Sequence, residues 1–182
     1  MKSEKSRFTT RDVVIMALLI ALLVVSKEAL AFLPNIELVS LLIILYSLQF
    51  GKKTIFIIIA FILIEGLLYG FGTWWWAYLY TWPLLYILTR VLRKFTNPLA
   101  FVILCGGFGL AFGFLCALVY LPISGPQTAI AWFLAGLPYD VIHCVGNTII
   151  AAVLFVPLRK AFKRLNSGTP QKCADKNIKF FA

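Results

Sequence analysis

Apolar residues are grouped along this chain into long continuous runs, without alternation of apolar and polar positions. A helix needs about 20 mostly apolar residues to cross a bilayer. Six runs reach or approach that length, and the second is short: 13–33, 38–50, 54–70, 74–92, 99–121 and 139–158. Because the runs are continuous and too long for membrane strands, they disfavour a β-barrel. The pattern predicts an all-α, integral membrane bundle of six transmembrane helices.

Turn-forming residues separate the runs and set the predicted organisation. Glycine, proline and asparagine mark breaks near residues 34–35, 51–53, 70–72, 97–98 and 122–126. We expect an N-terminal segment at 1–12, a membrane domain at 13–165 and a disordered tail at 166–182. Residues 127–137 are apolar, and two interpretations stay open for them: a short outer helix or part of the sixth span.

Composition agrees with a membrane protein. The chain is 62% hydrophobic and 13% charged, whereas soluble chains have about 25% charged residues. A core of about 20 kDa cannot hide this much apolar surface. These values disfavour a soluble enzyme, a nucleic-acid-binding domain and a disordered chain. The net charge of +10 does not by itself indicate nucleic-acid binding, because membrane proteins use basic residues to set their orientation.

Basic residues fall on one side of the bundle when the segments between runs are assigned alternately to its two sides. Of the 17 lysines and arginines, 16 lie in segments of that side, and Lys27 is the exception. The positive side faces the cytoplasm. Both termini, the first segment and the tail are therefore predicted to be cytoplasmic, in a multi-pass protein of a prokaryotic plasma membrane.

Ionisable residues within or beside the apolar runs are expensive to insert into lipid, and six of them fall at one depth. With the predicted topology, the extracellular half contains Lys27, Glu28, Glu37, Glu65, Asp140 and His143. Snorkelling to the interface would explain any one of them. Their agreement across four helices favours an outward-facing polar cavity.

Helical spacing groups several of these residues on shared faces. Asp140, His143 and Asn147 stand at i, i+3 and i+7 of the sixth run, and Glu65 precedes Tyr69 by four residues. Tryptophans crowd the outer end of the fourth run, where an aromatic belt is the alternative explanation; we expect one of them, Trp75, to face inward and stack on a flat ligand. The predicted substrate-binding residues are Lys27, Glu37, Glu65, Tyr69, Trp75, Asp140, His143 and Asn147. No metal site is expected.

Small residues mark a second surface near the cytoplasmic end of the first helix. Ala17 and Ala21 form a small-xxx-small pair, which lets another helix approach closely. Packing within the chain would explain the pair equally well. Gly109 and Gly113 make a similar pair in the fifth run, and we expect them to serve internal packing.

With its size, six spans, basic ending, Ala17-xxx-Ala21 and the sequence Pro34-Asn35-Ile36-Glu37 before a short second helix, the chain resembles the substrate-binding (S) component of energy-coupling factor (ECF) vitamin transporters. The likeness covers about residues 8–165. It implies that Ala17 and Ala21 dock on a transmembrane (T) component. It also implies a vitamin site in the extracellular half, near Asp140, His143, Asn147 and the tryptophans, with the loop at Pro34 as a gate.

The resemblance implies a mechanism and partners. The chain would capture a vitamin or vitamin precursor outside and hand it to the T component and two cytosolic ATPases. It has no GxxxxGK[ST] motif, so ATP would be used by those partners and no cofactor is expected in this chain. The alternative is a stand-alone secondary transporter of a small organic substrate. An enzyme is not expected, because HExxH and GxSxG are absent.

Overall fold

The computed structural model describes residues 9–167, and it is all-helical over that range. Six helices follow one another: α1 Thr10–Ala29, α2 Val39–Phe50, α3 Lys53–Tyr69, α4 Thr73–Leu92, α5 Pro98–Ala117 and α6 Tyr120–Ser167. The predicted all-α class and the number of helices are confirmed for these residues. Residues 168–182, most of the predicted disordered tail, lie outside the described residues.

The first helix begins and ends earlier than the apolar run that predicted it. Thr9 caps it, because its hydroxyl accepts from the Asp12 backbone N–H while the Asp12 carboxylate accepts from the Thr9 N–H. It ends at Ala29 rather than at residue 33. Residues 30–38 form turns, and Asn35 adopts a φ of 57° there, a conformation that asparagine tolerates better than most residues. This α1–α2 segment is largely exposed.

Consecutive helices run in opposite directions, as contacts at the two ends of the bundle show. At one end, Lys53 binds Asp12 at 2.6 Å, and Arg11 donates to the Leu165 carbonyl at 3.2 Å. The start of α1, the start of α3 and the end of α6 therefore lie together, and we call this the basic end. Lys27, near the end of α1, pairs with Glu65, near the end of α3. We call that opposite end the acidic end.

Helix α2 occupies the centre of the bundle. Every residue from Val39 to Ser47 is buried, and its neighbours are α3, α4, α5 and α6 as well as α1. This agrees with its mostly apolar sequence, because a helix covered on all sides has no polar face, and its buried serines Ser40 and Ser47 are hydrogen-bonded. Around it, Phe61, Trp82 and Phe101 are fully buried aromatic residues of the core.

Helices α5 and α6 form a long antiparallel hairpin. Stacked rings of Phe101 and Phe155 pair the helices toward the basic end, with centroids 5.3 Å apart, and Tyr120 stacks on Trp132 beyond the acidic end, at 5.1 Å. The break predicted at 122–126 is narrower than expected: only Gly125 leaves helical geometry, with φ 82° and ψ 172°. Residues 127–137 are helical and continue directly into the residues of the predicted sixth span; whether they lie inside or outside that span stays a prediction.

Two helices are long and apolar enough to cross a membrane, α5 and α6. The other four fall short for different reasons. Helices α2 and α3 have 12 and 17 residues, α1 contains charged residues at both ends, and α4 is rich in tryptophan and tyrosine. The six-span topology therefore remains a prediction.

Candidate functional site

The polar stripe of α6 lies against α5 at the acidic end. Asp140, His143 and Asn147 are between 0% and 3% exposed. The Asp140 carboxylate accepts from the Gly113 backbone N–H at 2.9 Å. The Asn147 amide lies 3.5 Å from the Cys105 carbonyl oxygen, toward which its N–H group points. The three residues predicted from their spacing thus share one buried face, which we call the polar stripe.

His143 connects the polar stripe to the α1–α2 segment. Its Nε2 lies 3.2 Å from a carboxylate oxygen of Glu37, and the Ser40 hydroxyl donates to the same oxygen at 2.8 Å. One turn further along α6, Gly146 leaves room for Ile36, whose Cγ1 would lie 3.4 Å from a Cβ at that position. The α1–α2 segment is therefore held on α6 by one polar and one apolar contact.

Several buried atoms of this region have no hydrogen-bond partner among residues 9–167: Asp140 Oδ2, His143 Nδ1, Asn147 Oδ1 and Glu65 Oε1. A buried polar atom left unpaired costs about 1–3 kcal/mol, and such atoms are rare in native proteins. Three of the four belong to the polar stripe. Packing alone does not explain why three unpaired buried atoms lie on one helix face.

A row of glycines on α5 makes room for the polar stripe. A Cβ at Gly113 would lie 2.7 Å from the Asp140 carboxylate carbon, and one at Gly109 would lie 2.9 Å from the His143 carbonyl oxygen. Because real Cβ atoms do not approach so closely, both positions depend on the missing side chain. The expectation that Gly109 and Gly113 serve internal packing is confirmed.

A second polar group joins α1, α3 and α4. Lys27 pairs with Glu65, which is fully buried, and the Lys27 ammonium lies 4.8 Å from the centre of the Tyr69 ring. The Tyr69 hydroxyl donates to Glu28. Trp74 lies at the edge of this group, with its ring centre 6.0 Å from the same ammonium. A lysine and an acid from separate helices are thus paired inside the bundle.

Glu37 stands between the two groups. It follows the end of α1 that contains Lys27, and its carboxylate lies 3.2 Å from Nε2 of His143. The predicted residues Lys27, Glu37, Glu65, Asp140, His143 and Asn147 are therefore brought to one end of the bundle. Among residues 9–167, no group of three histidine, cysteine, aspartate or glutamate side chains is placed to hold a metal ion.

Two of the predicted residues lie away from the polar stripe, and their role as ligand contacts stays a prediction. The Trp75 indole N–H donates to the Ile62 carbonyl at 2.9 Å, and its ring packs edge-to-face on Phe71, so its position is set by α3 and the α3–α4 turn. Tyr69 is 54% exposed and touches the site only through Lys27 and Glu28. Neither lies on the polar stripe.

Sequence reasoning missed the aromatic wall beside His143. The Phe112 ring meets the His143 ring edge-to-face, with centroids 5.0 Å apart, and Trp82 lies behind it with its centroid 5.5 Å from that of Phe112. Trp82 is fully buried, and its indole nitrogen has no partner among the described residues. Phe108, another wall residue, precedes Phe112 by four residues. This helical spacing was the signal of the wall that the sequence offered.

The site is closed in this structure. The side chains of the polar stripe are buried, and a separate groove of about 640 Å³ opens beside α4, lined by apolar groups such as Trp76, Tyr80 and Pro122. This groove contains none of the stripe residues. The polar stripe is covered by α5 and, through Glu37 and Ile36, by the α1–α2 segment.

The surface around Ala17 and Ala21 is open. Both alanines are exposed, and Val14, Leu18 and Val25 on the same side of α1 are 53%, 62% and 61% exposed. The opposite side of the helix packs inward through Leu19 and Leu23. Packing of the alanine pair within the chain, the alternative left open by the sequence, is not what the described residues show.

Comparisons with protein-family models, with curated proteins and with solved structures give no match to this chain.

Proposed function

We propose that this chain is the substrate-capture subunit of an ATP-driven importer of the ECF type. It would bind a vitamin or vitamin precursor at the acidic end, outside the cell, and pass it to a T component with two cytosolic ATPases. The observation that carries the proposal is the polar stripe: three buried side chains, each with an unpaired atom, on one helix face. Such groups are costly unless a ligand completes them.

The exterior of the bundle supports a place in the membrane, with all six helices spanning it. Leu67 is 75% exposed, Ile103 64% and Val153 65%, and large exposed apolar surface is rare on soluble monomers. The basic end contains Arg11, Lys53 and Arg90 close to helix termini. By the positive-inside rule that end faces the cytoplasm, which directs the acidic end outward.

The open face of α1 supports a partner within the membrane. Small residues allow close helix approach, and Ala17 and Ala21 are exposed among larger apolar side chains. In the proposed assembly the T component covers this face. The α1–α2 segment, held on α6 by Glu37 and Ile36, serves as the gate to the polar stripe.

Ligand retention tests the proposed site. The chain is purified in mild detergent, and the small molecule that stays bound is identified by mass spectrometry and used to measure affinity. We expect Asp140→Ala and His143→Ala to weaken its binding by at least about tenfold, because each removes a group from the polar stripe. Asp12→Ala, an acid at the basic end, is the control and should leave affinity unchanged. Equal affinity in all four proteins would reject the site.

Uptake tests the proposed assembly separately. In cells that supply the T component and ATPases, Ala17→Trp or Ala21→Trp should abolish uptake while purified protein binds the retained molecule normally. Ala111→Trp, at an exposed alanine of α5, is the matched control. Unchanged uptake in the α1 variants would reject that face. Transport by the chain alone in liposomes would favour a secondary transporter instead.

A further inference from the structure

The unpaired atoms of the polar stripe are all suited to accept hydrogen bonds. Asp140 Oδ2 and Asn147 Oδ1 are oxygen acceptors without a partner among the described residues. The Nε2 atom of His143 faces the Glu37 carboxylate, so in the neutral ring the proton sits on Nε2 and the unpaired Nδ1 presents a lone pair. A ligand that completes the stripe must therefore bring N–H or O–H donors.

Charge at the acidic end points to the same kind of ligand. Four carboxylates lie there (Glu28, Glu37, Glu65 and Asp140), and Lys27 is the one lysine or arginine that the described chain places with them. Lys27 is bound to Glu65 and is not free to meet an anion. At the polar stripe itself, a carboxylate or phosphate on the ligand would meet acceptor atoms and like charge; the unpaired donor nearby, the Trp82 indole N–H, lies behind Phe112.

The shape of the surroundings adds a third constraint. Phe112 stands edge-on against the His143 ring, with Trp82 behind it, so one side of the polar stripe is an aromatic wall. Phe112 projects from α5 beside Gly113, whose backbone lies directly against Asp140. A flat group packs on an aromatic wall better than a bulky one.

From these observations, and resting on the function proposed above, we infer that the polar stripe binds a flat cationic group with two or more N–H donors on one edge, such as an amidinium or an amino-substituted heteroaromatic ring. One donor edge would face Asp140 Oδ2, and a second donor would face His143 Nδ1 or Asn147 Oδ1. Charge-assisted hydrogen bonds to Asp140 would give the strongest part of the recognition. A carboxylate-bearing ring of the same size would be rejected.

Three probes of similar shape test the inference: benzamidine, benzamide and benzoate. Each has a ring and a planar head group, which is a cationic donor in benzamidine, neutral in benzamide and an anionic acceptor in benzoate. Binding to the purified full chain is measured by ligand-observed NMR at concentrations up to about 10 mM, a range suited to fragments. We expect benzamidine to bind at least about tenfold more tightly than benzoate, with benzamide between them.

Variants show whether the probes bind at the polar stripe. Asp140→Asn, which keeps the shape but replaces one acceptor oxygen with an amide donor, should remove most of the benzamidine preference, while Asp12→Asn at the basic end should retain it. Benzoate binding as tightly as benzamidine, and responding to Asp140→Asn, would overturn the ligand class but leave the site in place. If neither Asp140→Asn nor Asn147→Leu changes probe binding, the result would count against both the ligand class and the proposed site. Absence of binding by all three probes would overturn the ligand class, and ligand retention decides the proposed function independently.

Discussion

At the basic end, charged side chains close off the helix ends: Lys53 binds Asp12, and Arg90 donates to the Ser47 carbonyl at the end of α2. At the acidic end, charged and polar side chains turn inward and are buried, and several of their atoms lack partners. The first arrangement is what stability and membrane orientation require. The second is costly for the folded chain alone, and that difference supports the site proposed at the acidic end.

The largest expected loss of stability comes from removing one partner of the ion pair at the acidic end. Lys27→Met leaves the fully buried Glu65 carboxylate without its partner, and breaking a buried pair costs about 3 kcal/mol or more. The double variant Lys27→Met/Glu65→Leu removes both charges and should recover most of that loss. The measurement is the free energy of unfolding in detergent, from denaturant titration.

The matched change at the basic end is Lys53→Met. Its partner Asp12 keeps two hydrogen bonds to Thr9, so the loss should be about 1 kcal/mol. If Lys53→Met were as damaging as Lys27→Met, the two ends would not differ in the way described.

A smaller effect is expected from filling the space beside Asp140. Gly113→Ala places a Cβ against the carboxylate, which should cost about 2 kcal/mol of stability through local overpacking and weaken binding at the polar stripe. Gly107→Ala is the control, because a Cβ there meets nothing within 4 Å, and it should be neutral or slightly stabilising.

A double variant shows whether Gly113→Ala acts by displacing Asp140 or by disturbing the packing of α5 against α6. In an Asp140→Ala background the added methyl group has space, so Gly113→Ala should cost little further stability. Equal losses in both backgrounds would show that Gly113 acts on the helix pair rather than on Asp140. Melting temperatures of the four proteins, measured together, decide this.

The sequence predicted the elements better than their contacts. Continuous apolar runs located all six helices, and helical spacing placed Asp140, His143 and Asn147 on one face because both follow from local periodicity. The partners of those residues depend on how each helix rotates against the next, which a single sequence does not specify. Thus neither the pairing of Lys27 with Glu65 nor the contact between His143 and Glu37 was foreseen.

Errors at helix ends have a similar origin. Apolar residues continue past Ala29 into the α1–α2 segment, so hydropathy alone extended the first helix to residue 33. In the other direction, Pro122 and Pro126 predicted a wide break, yet proline fits the first turn of a helix, and only Gly125 departs from helical geometry. Trp75 was chosen for its place among the tryptophans, whereas the fully buried tryptophan is Trp82, which lies about two turns further along α4.

The smallest effect concerns the cap at the basic end and depends on pH. Burial raises the pKa of Asp12, which precedes the first predicted span, but the Lys53 ammonium and the hydrogen bonds from Thr9 outweigh burial and hold that pKa below its usual value. A carboxyl group whose pKa is lower in the folded state stabilises the fold above its unfolded pKa, about 3.9, and loses that contribution as pH falls toward the folded pKa. Asp12→Asn should therefore cost about 1 kcal/mol at pH 7, and the difference from the unmodified chain should shrink below about pH 4. Unfolding free energies measured at several pH values check this, and a difference that persists unchanged in acid would mean that the cap geometry, rather than the charge at the basic end, supplies the stability.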